Sequence, residues 1–402
     1  MITSKKNFDF LVIGGGIIGL SIARELKKQS PSAKIAILEK ENDVALHASG
    51  RNSGVLHAGF YYTADSFKAR FCRDGNREMQ AFCNEKGLAL NACGKLVVAT
   101  NEEELKGLEE LKKRADKNGV ELLWMDEGEV DSMDPNAKTH KRALYSPNTA
   151  TVDPREVCNA LKEELIEGGV QVFLNTTFKA YRDSVVITSN GSFETDFVIN
   201  VAGLYADKIA EQFGFSRDHV LIPFKGLYLK RPLDGAPIKT NIYPVPNLKN
   251  PFLGVHFTVT VDGSVKIGPT AIPAFWRENY KGFSRFNFGE FFETLYYEGK
   301  LFFSNAFGFR DLAFEEMKKY WKSNLFKFAR RMVKELKEDE FNQWTEPGIR
   351  AQLVNKKSLE IVQDFVFEGD EKSLHVLNAI SPAFTCAFPI AKHIVRQTEL
   401  KR

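Results

Sequence analysis

The residues with the clearest chemical use are Gly14, Gly16, Gly19 and Glu39. They lie in FDFLVIGGGIIGLSIARELKK (8–28) and the following KIAILEKE (34–41). An apolar, β-branched run ends in G-x-G-x-x-G and turns into a helix-period pattern. A second apolar run then ends on an acid 20 residues past Gly19. Strand, glycine turn, helix, strand and acid in that order form a dinucleotide-binding fingerprint. Gly14 allows the tight turn, Gly16 lets backbone approach a pyrophosphate, and Gly19 lets helix and strand pack closely. The helix N-terminus holds phosphate charge through its free N–H groups and dipole. Glu39 accepts from ribose hydroxyls, with Lys40 beside it as a further contact. A nucleotide cofactor follows from these residues alone.

The elements that must position this chemistry recur along the chain. The segment 41–62, ENDVALHASGRNSGVLHAGFYY, is too long for a mere connection, and such loops in compact domains tend to be functional. Residues 66–86 read as a helix and KLVVAT (95–100) as a strand. Residues 101–119 read as a solvated helix, with Asn101 as its cap and acids crowding its start. A helix over 153–169 feeds a strand over 170–176. A buried strand (196–203) precedes a helix (205–214), which is a second βαβ-like stretch. Residues 251–269 read as a β-hairpin about Asp262-Gly263. The strand SLHVLNAI (373–380) leads into 381–395, which reads as a helix from its start. Nucleotide-domain elements thus occur at the start, middle and end of the chain. The expected fold is α/β (α+β mixed): a Rossmann-like nucleotide domain over 1–85, 150–220 and 345–402, and a discontinuous antiparallel-sheet substrate domain over 86–149 and 221–344.

Composition excludes several function classes. The 402 residues suffice for two cores, and 43% hydrophobic with 27% charged residues is usual for a globular enzyme. A net charge of +3 with no basic motif argues against nucleic acid. Five scattered cysteines without a CxxC argue for a reducing, cytoplasmic setting and against structural disulfides or a metal cluster. No apolar run approaches the ~18 residues of a spanning helix. With so few residues before the first strand, no leader peptide is expected, unless one has been removed.

The glycine motif, Glu39, the loop SGRNSGVLHAG and the C-terminal strand–SPA–helix, in this order, resemble the FAD-dependent D-amino-acid-oxidase-like (DAO) superfamily. Longer segments narrow the match: SGRNSGVLHAGFYY (49–62), FKARFCRDG (67–75), IPFKGLYL (222–229), IYPVPNLKNPFLGVHFTVTVDGSVKIGP (242–269), GIRAQ (348–352) and FVFEG…LHVLNAISPA (365–383). These resemble the L-2-hydroxyglutarate oxidase/dehydrogenase family and span nearly the whole chain. The resemblance implies FAD in place of NAD and a 2-hydroxy dicarboxylic acid as substrate. It departs from the family pattern after SPA, where Phe384-Thr385-Cys386-Ala387-Phe388-Pro389 replaces small residues. Pro389 predicts a kink or a late helix start.

A flavin oxidising a 2-hydroxy acid needs the C2 hydride at N5, a base for the hydroxyl proton and cations for the carboxylates. Ser49, Arg51, Asn52, Ser53 and Gly54 suit the ribityl chain, pyrophosphate and flavin edge. The resemblance assigns Val172 to a backbone contact with adenine. Ala202 and Gly203 end a buried strand close to the cofactor, and Gly348 is a further contact. Ser381, Pro382 and Ala383 are expected to bring a helix N-terminus to the flavin pyrimidine. Arg350 matches the superfamily's carboxylate-binding arginine, whose fork grips two oxygens. Lys225, Tyr228 and Tyr61 are candidates for the rest of the substrate. Two histidines suit the base. His256 is at the centre of LGVHFT, where alternation places it with Gly254 and Thr258, opposite Val255, Phe257 and Val259. His57 is in the flavin loop. The strand position favours His256, with His57 near flavin and substrate. His47 and Cys386 are weaker candidates for a covalent flavin tether.

Residues 275–331 hold 13 of the 33 phenylalanines, interleaved with Lys and Arg. The plainer expectation is a covering subdomain whose aromatics form their own core. The alternative is an interfacial patch that contacts an anionic membrane and delivers electrons to quinone. Oxygen, quinone and an electron-transfer protein all remain open as acceptor. Another hydroxy acid or an amino acid as substrate also stays open, as does a flavin-binding protein without turnover.

Overall fold

The computed structural model describes residues 6–232, 238–246 and 254–401. The chain forms two units, each assembled from separated segments: 1–52, 154–223 and 350–402, and 53–153 with 224–349.

The first unit is built on five parallel strands in the order Ser373–Val376, Gly191–Asn200, Lys6–Ile13, Ile35–Leu38 and Gln171–Phe173. Its central strands read as continuous apolar runs, because a parallel sheet is covered on both faces. Leu11, Ile13, Ala36, Leu38 and Val198 join one core with Phe8 and Phe193. The hairpin Phe178–Arg182 and Val185–Thr188 extends the sheet antiparallel along the first half of Gly191–Asn200. Helices Ile17–Gln29, Pro154–Glu167 and Ala387–Lys401 pack together in this unit. The last helix starts at Ala387, six residues later than the sequence pattern suggests, and residues 381–386 form turns. Pro389 explains the delay. Placed in the first turn, its missing N–H lies among donors that have no helical partner anyway.

The second unit holds an eight-stranded sheet. Its order is Gln343–Trp344, Leu229–Arg231, Val265–Gly268, His256–Val259, Asn241–Pro244, Lys95–Val98, Arg142–Ser146 and Leu123–Asp126. All pairings are antiparallel except one. Asn241–Pro244 runs parallel to Lys95–Val98, so the antiparallel expectation fails at the join between two chain segments. One face packs Leu96, Val98, Ile242, Phe257, Val259, Val265 and Ile267 against Leu325, Phe326 and Ala329 of helix Lys322–Ala329. The predicted hairpin forms from His256–Val259 and Val265–Gly268, with Gly263 at φ +75° between them. Its connection is the five residues 260–264, where Gly263 N–H donates to Thr260 O. Residues 251–253 of the predicted hairpin lie outside the described residues.

The expected domain boundary at 85 moves to 52. Strand Val55–Leu56 pairs with Ala150–Val152, and helix Phe67–Glu85 packs on helix Glu102–Asn118, so 53–85 belong to the second unit. Both helices begin as capping chemistry requires: Ser66 Oγ accepts from Ala69 N–H at 3.1 Å, and Asn101 Oδ1 from Glu104 N–H at 3.0 Å.

The Phe-rich segment does not form its own core. Phe283, Phe288, Phe292, Phe303, Phe307 and Phe314 are exposed, and Phe303 retains 84% of its surface. Helix Phe288–Ser304 gathers Phe288, Phe291, Phe292, Leu295, Phe302 and Phe303 on one face, yet only Thr294 and Leu301 are buried. The helix period offers too few inward positions to cover so many rings.

Candidate active site

In the first unit the glycine turn has the geometry of a cofactor cradle. Gly14 adopts φ +120°, and a Cβ there would lie 2.6 Å from Val201 O. Only glycine satisfies both conditions. A Cβ on Gly19 would lie 2.0 Å from Gly14 O, so this glycine sets how closely helix and turn approach. The helix starts after Gly16, which has no side chain to cap it. Ser49 Oγ, arriving from the loop, accepts the Ile17 N–H at 3.0 Å instead. Glu39 is buried at the end of its strand and accepts from Gly15 N–H at 2.8 Å and Glu41 N–H at 2.9 Å. Burial pushes its carboxyl up, and the two amides pull it back. Each carboxylate oxygen keeps lone-pair capacity beyond these bonds.

Other predicted cofactor residues of this unit are ordered around that turn. Arg51 Nε donates to Leu46 O at 2.7 Å, and Asn52 Nδ2 to Ser49 O at 2.7 Å, so both brace the loop. Lys40 pairs with Glu41 at 3.0 Å. Val172 pairs with Ile37 in the strand register. Ala202 follows the strand Gly191–Asn200, and its Cα would lie 3.2 Å from a Cβ on Gly14. Gly203 has φ +55° and open space where a Cβ would stand. His47 Nε2 lies 2.9 Å from Glu41 Oε1, and Cys386 is fully buried. Ser381, Pro382 and Ala383 precede the final helix instead of opening it, so the expected helix N-terminus at these residues is not formed. Arg350 is half-buried in strand Gly348–Asn355, which carries the chain from one unit to the other. Gly348, Ser53 and Gly54 belong to the second unit.

The second unit brings four of the predicted substrate residues together and adds two that sequence reading missed. Side chains alternate along each strand, so the face opposite the Leu96–Ile242–Phe257 core collects Lys95, Tyr243 and His256 from three adjacent strands. The segment after Val55–Leu56 lays His57, Phe60 and Tyr61 over this face. Two side chains of helix Phe67–Glu85 hold that segment: Cys72 Sγ–H donates to His57 O, and Asn76 Nδ2 to Leu56 O at 2.9 Å. Lys95 is completely buried. Its Nζ lies 3.4 Å from His57 Nδ1 and 4.4, 5.1 and 5.4 Å from the ring centres of Tyr243, Tyr61 and Phe60. His256 stacks on Tyr243 with 3.8 Å between centroids, and Tyr228 meets it edge-on at 6.4 Å.

The protonation states of this cluster follow from burial. His256 Nδ1 lies 2.9 Å from Gly254 O, a carbonyl that can only accept. Nδ1 therefore carries the proton, and Nε2 is a bare acceptor, buried without a hydrogen-bond partner among the described residues. Burial lowers the His256 pKa to about 3. His57 is also held well below its usual range, by burial first and then by Lys95 and His256. Burial brings Lys95 down to about 7. It pushes the phenols of Tyr61, Tyr228 and Tyr243 up, with the Ser53 side chain partly offsetting this at Tyr228. The site at neutral pH thus holds neutral imidazoles and phenols around one amine that titrates there. Lys225 is set apart: half-buried, with Nζ 3.3 Å from Asn279 Oδ1 and its ammonium disfavoured by burial. The one signal for Lys95 was a lysine at the head of the buried strand KLVV. Tyr243 carried none beyond its place in a strand.

Comparison with known proteins decides the family. The FAD dependent oxidoreductase (DAO) family matches residues 9–397. The chain belongs to this family. Its cofactor is FAD, and it is an FAD-dependent oxidoreductase. Among its relatives, L-2-hydroxyglutarate dehydrogenase of Escherichia coli K12 is 35% identical, covering 98% of this chain and 93% of the relative. The enzyme of that name from Indibacter alkaliphilus is 37% identical over 96% and 97%. The mitochondrial one from Bos taurus is 34% identical over 98% and 89%. The fold is that of L-alpha-glycerophosphate oxidase from Mycoplasma pneumoniae, with a TM-score of 0.77 at 22% identity over 98% of this chain and 95% of that one. Glycine oxidase from Geobacillus kaustophilus matches with 0.73 at 20% over 99% and 96%. The first unit fits FAD: a strained glycine turn that no side chain can occupy, a helix N-terminus behind it, and a buried carboxylate at the end of the next strand. No helix among the described residues is long and apolar enough to cross a membrane.

Proposed function

We propose that this protein oxidises L-2-hydroxyglutarate to 2-oxoglutarate. The observation that carries the reading is identity near 35%, sustained over almost the entire chain, to dehydrogenases of that name from bacteria and animals. When bound, FAD would supply the hydride acceptor for C2. The chain's own residues hold the acid and receive the hydroxyl proton. Arg350 offers a two-point grip on one carboxylate, and Lys225 a cation for the other. The neutral tyrosines Tyr61 and Tyr228 offer hydroxyls to the same anion. His57 and His256 share the hydroxyl: His256 accepts its hydrogen bond at Nε2, and His57 takes the proton. Burial holds both imidazoles low, so basicity does not choose between them. His57 is preferred here to His256, the choice from sequence, because Lys95 Nζ lies 3.4 Å from its Nδ1. Gly14, Gly16, Gly19, Glu39 and Lys40 serve the nucleotide half of FAD with Val172. Ser49, Arg51, Asn52, Ser53, Gly54, Ala202, Gly203, Gly348 and residues 381–383 serve the flavin half.

The test is anaerobic. Added L-2-hydroxyglutarate should bleach the flavin band of the purified protein rapidly, and the D enantiomer should not. A flavin reduced by dithionite but not by either enantiomer overturns the substrate.

A second reading concerns the electron acceptor and the cell compartment. Residues 275–331 carry eleven Lys and Arg against seven Asp and Glu, and seven of their thirteen phenylalanines are exposed. Exposed rings beside cations suit contact with an anionic bilayer. A peripheral position on the cytoplasmic face of a membrane, with quinone as acceptor, accounts for this surface.

A further inference from the structure

The buried amine of Lys95 has no assigned task. Burying a lysine is costly unless an anion pairs with it. No carboxylate among the described residues forms an ion pair with Lys95. Its neighbours on the second unit are His57 and Tyr61 from the segment after Val55–Leu56, Cys72 from helix Phe67–Glu85, Cys93 on its own strand's approach, Tyr243 from the adjacent strand and His256 from the next. Burial pushes the Cys93 thiol and the Tyr61 and Tyr243 phenols up, and Cys72 Sγ–H is engaged with His57 O, which leaves the imidazoles as the groups placed to exchange a proton with it. The ring faces of Tyr243, Tyr61 and Phe60 soften the cost of its charged form without neutralising it. Among the described residues, the contact to His57 Nδ1 at 3.4 Å is its one side-chain hydrogen-bond contact.

We propose that Lys95 is the positioning residue behind His57, its neutral amine receiving the Nδ1 proton as His57 Nε2 takes the proton of the substrate hydroxyl. The inference rests on the hydroxy-acid oxidation proposed above. The bookkeeping closes. The substrate O–H bond breaks and an Nε2–H bond forms; the Nδ1–H bond breaks and an Nζ–H bond forms. The C2–H electron pair leaves as hydride to FAD, and the hydroxyl becomes the carbonyl of the 2-oxo acid. Lys95 ends as an ammonium that returns its proton to solvent between turnovers. A pair rather than a lone imidazole is needed because burial alone leaves His57 too weak a base to hold the proton. With a pKa of about 7, Lys95 takes and releases a proton at neutral pH, where a relay works best.

The experiment uses the FAD-loaded protein, with Lys95→Met and Lys95→Arg as variants. For the wild type, the rate of flavin reduction at saturating L-2-hydroxyglutarate should rise with pH through about 7, because the neutral amine is the working form. Both variants should lose roughly 100-fold in that rate and the pH limb near 7, while the substrate Kd changes less than about threefold. Arginine keeps the charge but cannot release its proton, so its failure separates proton transfer from charge. A raised Kd with an unchanged limiting rate would instead make Lys95 a carboxylate anchor and overturn the proposal. So would an active Lys95→Arg enzyme.

A second readout needs no substrate. With 15N-labelled histidine, and His57 assigned through His57→Asn, the His57 Nδ1 signal should shift with pH through about 7 in wild type and stay constant in Lys95→Met. Identical behaviour in both overturns the pairing even if turnover is established. A wild-type flavin that L-2-hydroxyglutarate does not bleach overturns the substrate reading, and the wild-type histidine titration still decides the pair. It also stands if Lys95→Met fails to fold.

Discussion

Alanine in place of glycine should have opposite effects at two helical positions. In a helix interior Ala is favoured over Gly by about 1 kcal/mol. At Gly299, in helix Phe288–Ser304, nothing stands within 4 Å of the added Cβ. Gly299→Ala should therefore stabilise by about 0.8–1 kcal/mol. At Gly19 the same Cβ would stand 2.0 Å from Gly14 O and 3.1 Å from Val201 Cγ2. Relieving that overlap requires helix and turn to part by about 1 Å, in a region where close packing leaves no slack. Such overpacking costs about 1–3 kcal/mol, and a backbone oxygen cannot rotate aside as a side chain can. The clash outweighs the propensity gain, and Gly19→Ala should lose about 2 kcal/mol in the first unit. At about 2–4 °C per kcal/mol, the melting temperature should fall by roughly 4–8 °C. The same movement withdraws the helix N-terminus from the pyrophosphate, so FAD per chain after gel filtration should fall with it. Thermal melts and flavin absorbance against protein measure both effects. A Gly19→Ala protein that melts with wild type and holds a full complement of FAD refutes the close-approach argument.

Three further outcomes are expected. Glu298, with its carboxyl raised to about 8 by burial, is neutral in the native state at pH 7 but ionised in the unfolded chain. Native stability is therefore lost as pH rises from 4.5 toward 8, and Glu298→Gln should gain on wild type by on the order of 1–3 kcal/mol at pH 8 but not at pH 4.5. Urea midpoints at the two pH values decide it, and an equal gap at both removes the buried carboxyl as cause. Arg350→Lys should weaken L-2-hydroxyglutarate about tenfold or more in an anaerobic flavin titration, since lysine lacks the fork; unchanged affinity removes Arg350 as anchor. Wild type should pellet with anionic vesicles at low salt, and a variant with Phe283, Phe303 and Phe307 changed to serine should remain in the supernatant. Equal pelleting of the two would take the phenylalanines out of the contact.

The sequence by itself determined the nucleotide half. G-x-G-x-x-G, its flanking strands and Glu39 are contiguous, and each role there follows from local geometry: a positive φ, a helix end, an acid at the end of the next strand. Helix caps at Ser66 and Asn101 are local for the same reason. The position of the last helix was decided one level up, because Pro389 permits a first turn there but does not tell where the turns from Ser381 end. The pairing of Asn241–Pro244 with Lys95–Val98 depends on strands almost 150 residues apart, and no periodicity encodes which strand lies parallel to which. That pairing creates the buried polar face of the second unit. Lys95 and Tyr243 are unremarkable in sequence, and only the sheet order puts this amine and this phenol on one buried surface with the imidazole of His256, beneath His57. Tertiary structure also settled the titration behaviour, since burial and not residue type brings Lys95 to about 7 and His256 to about 3. The outward phenylalanines of residues 275–331 were equally undecided in one dimension: a Phe count measures apolar surface, and only packing tells which of it is covered.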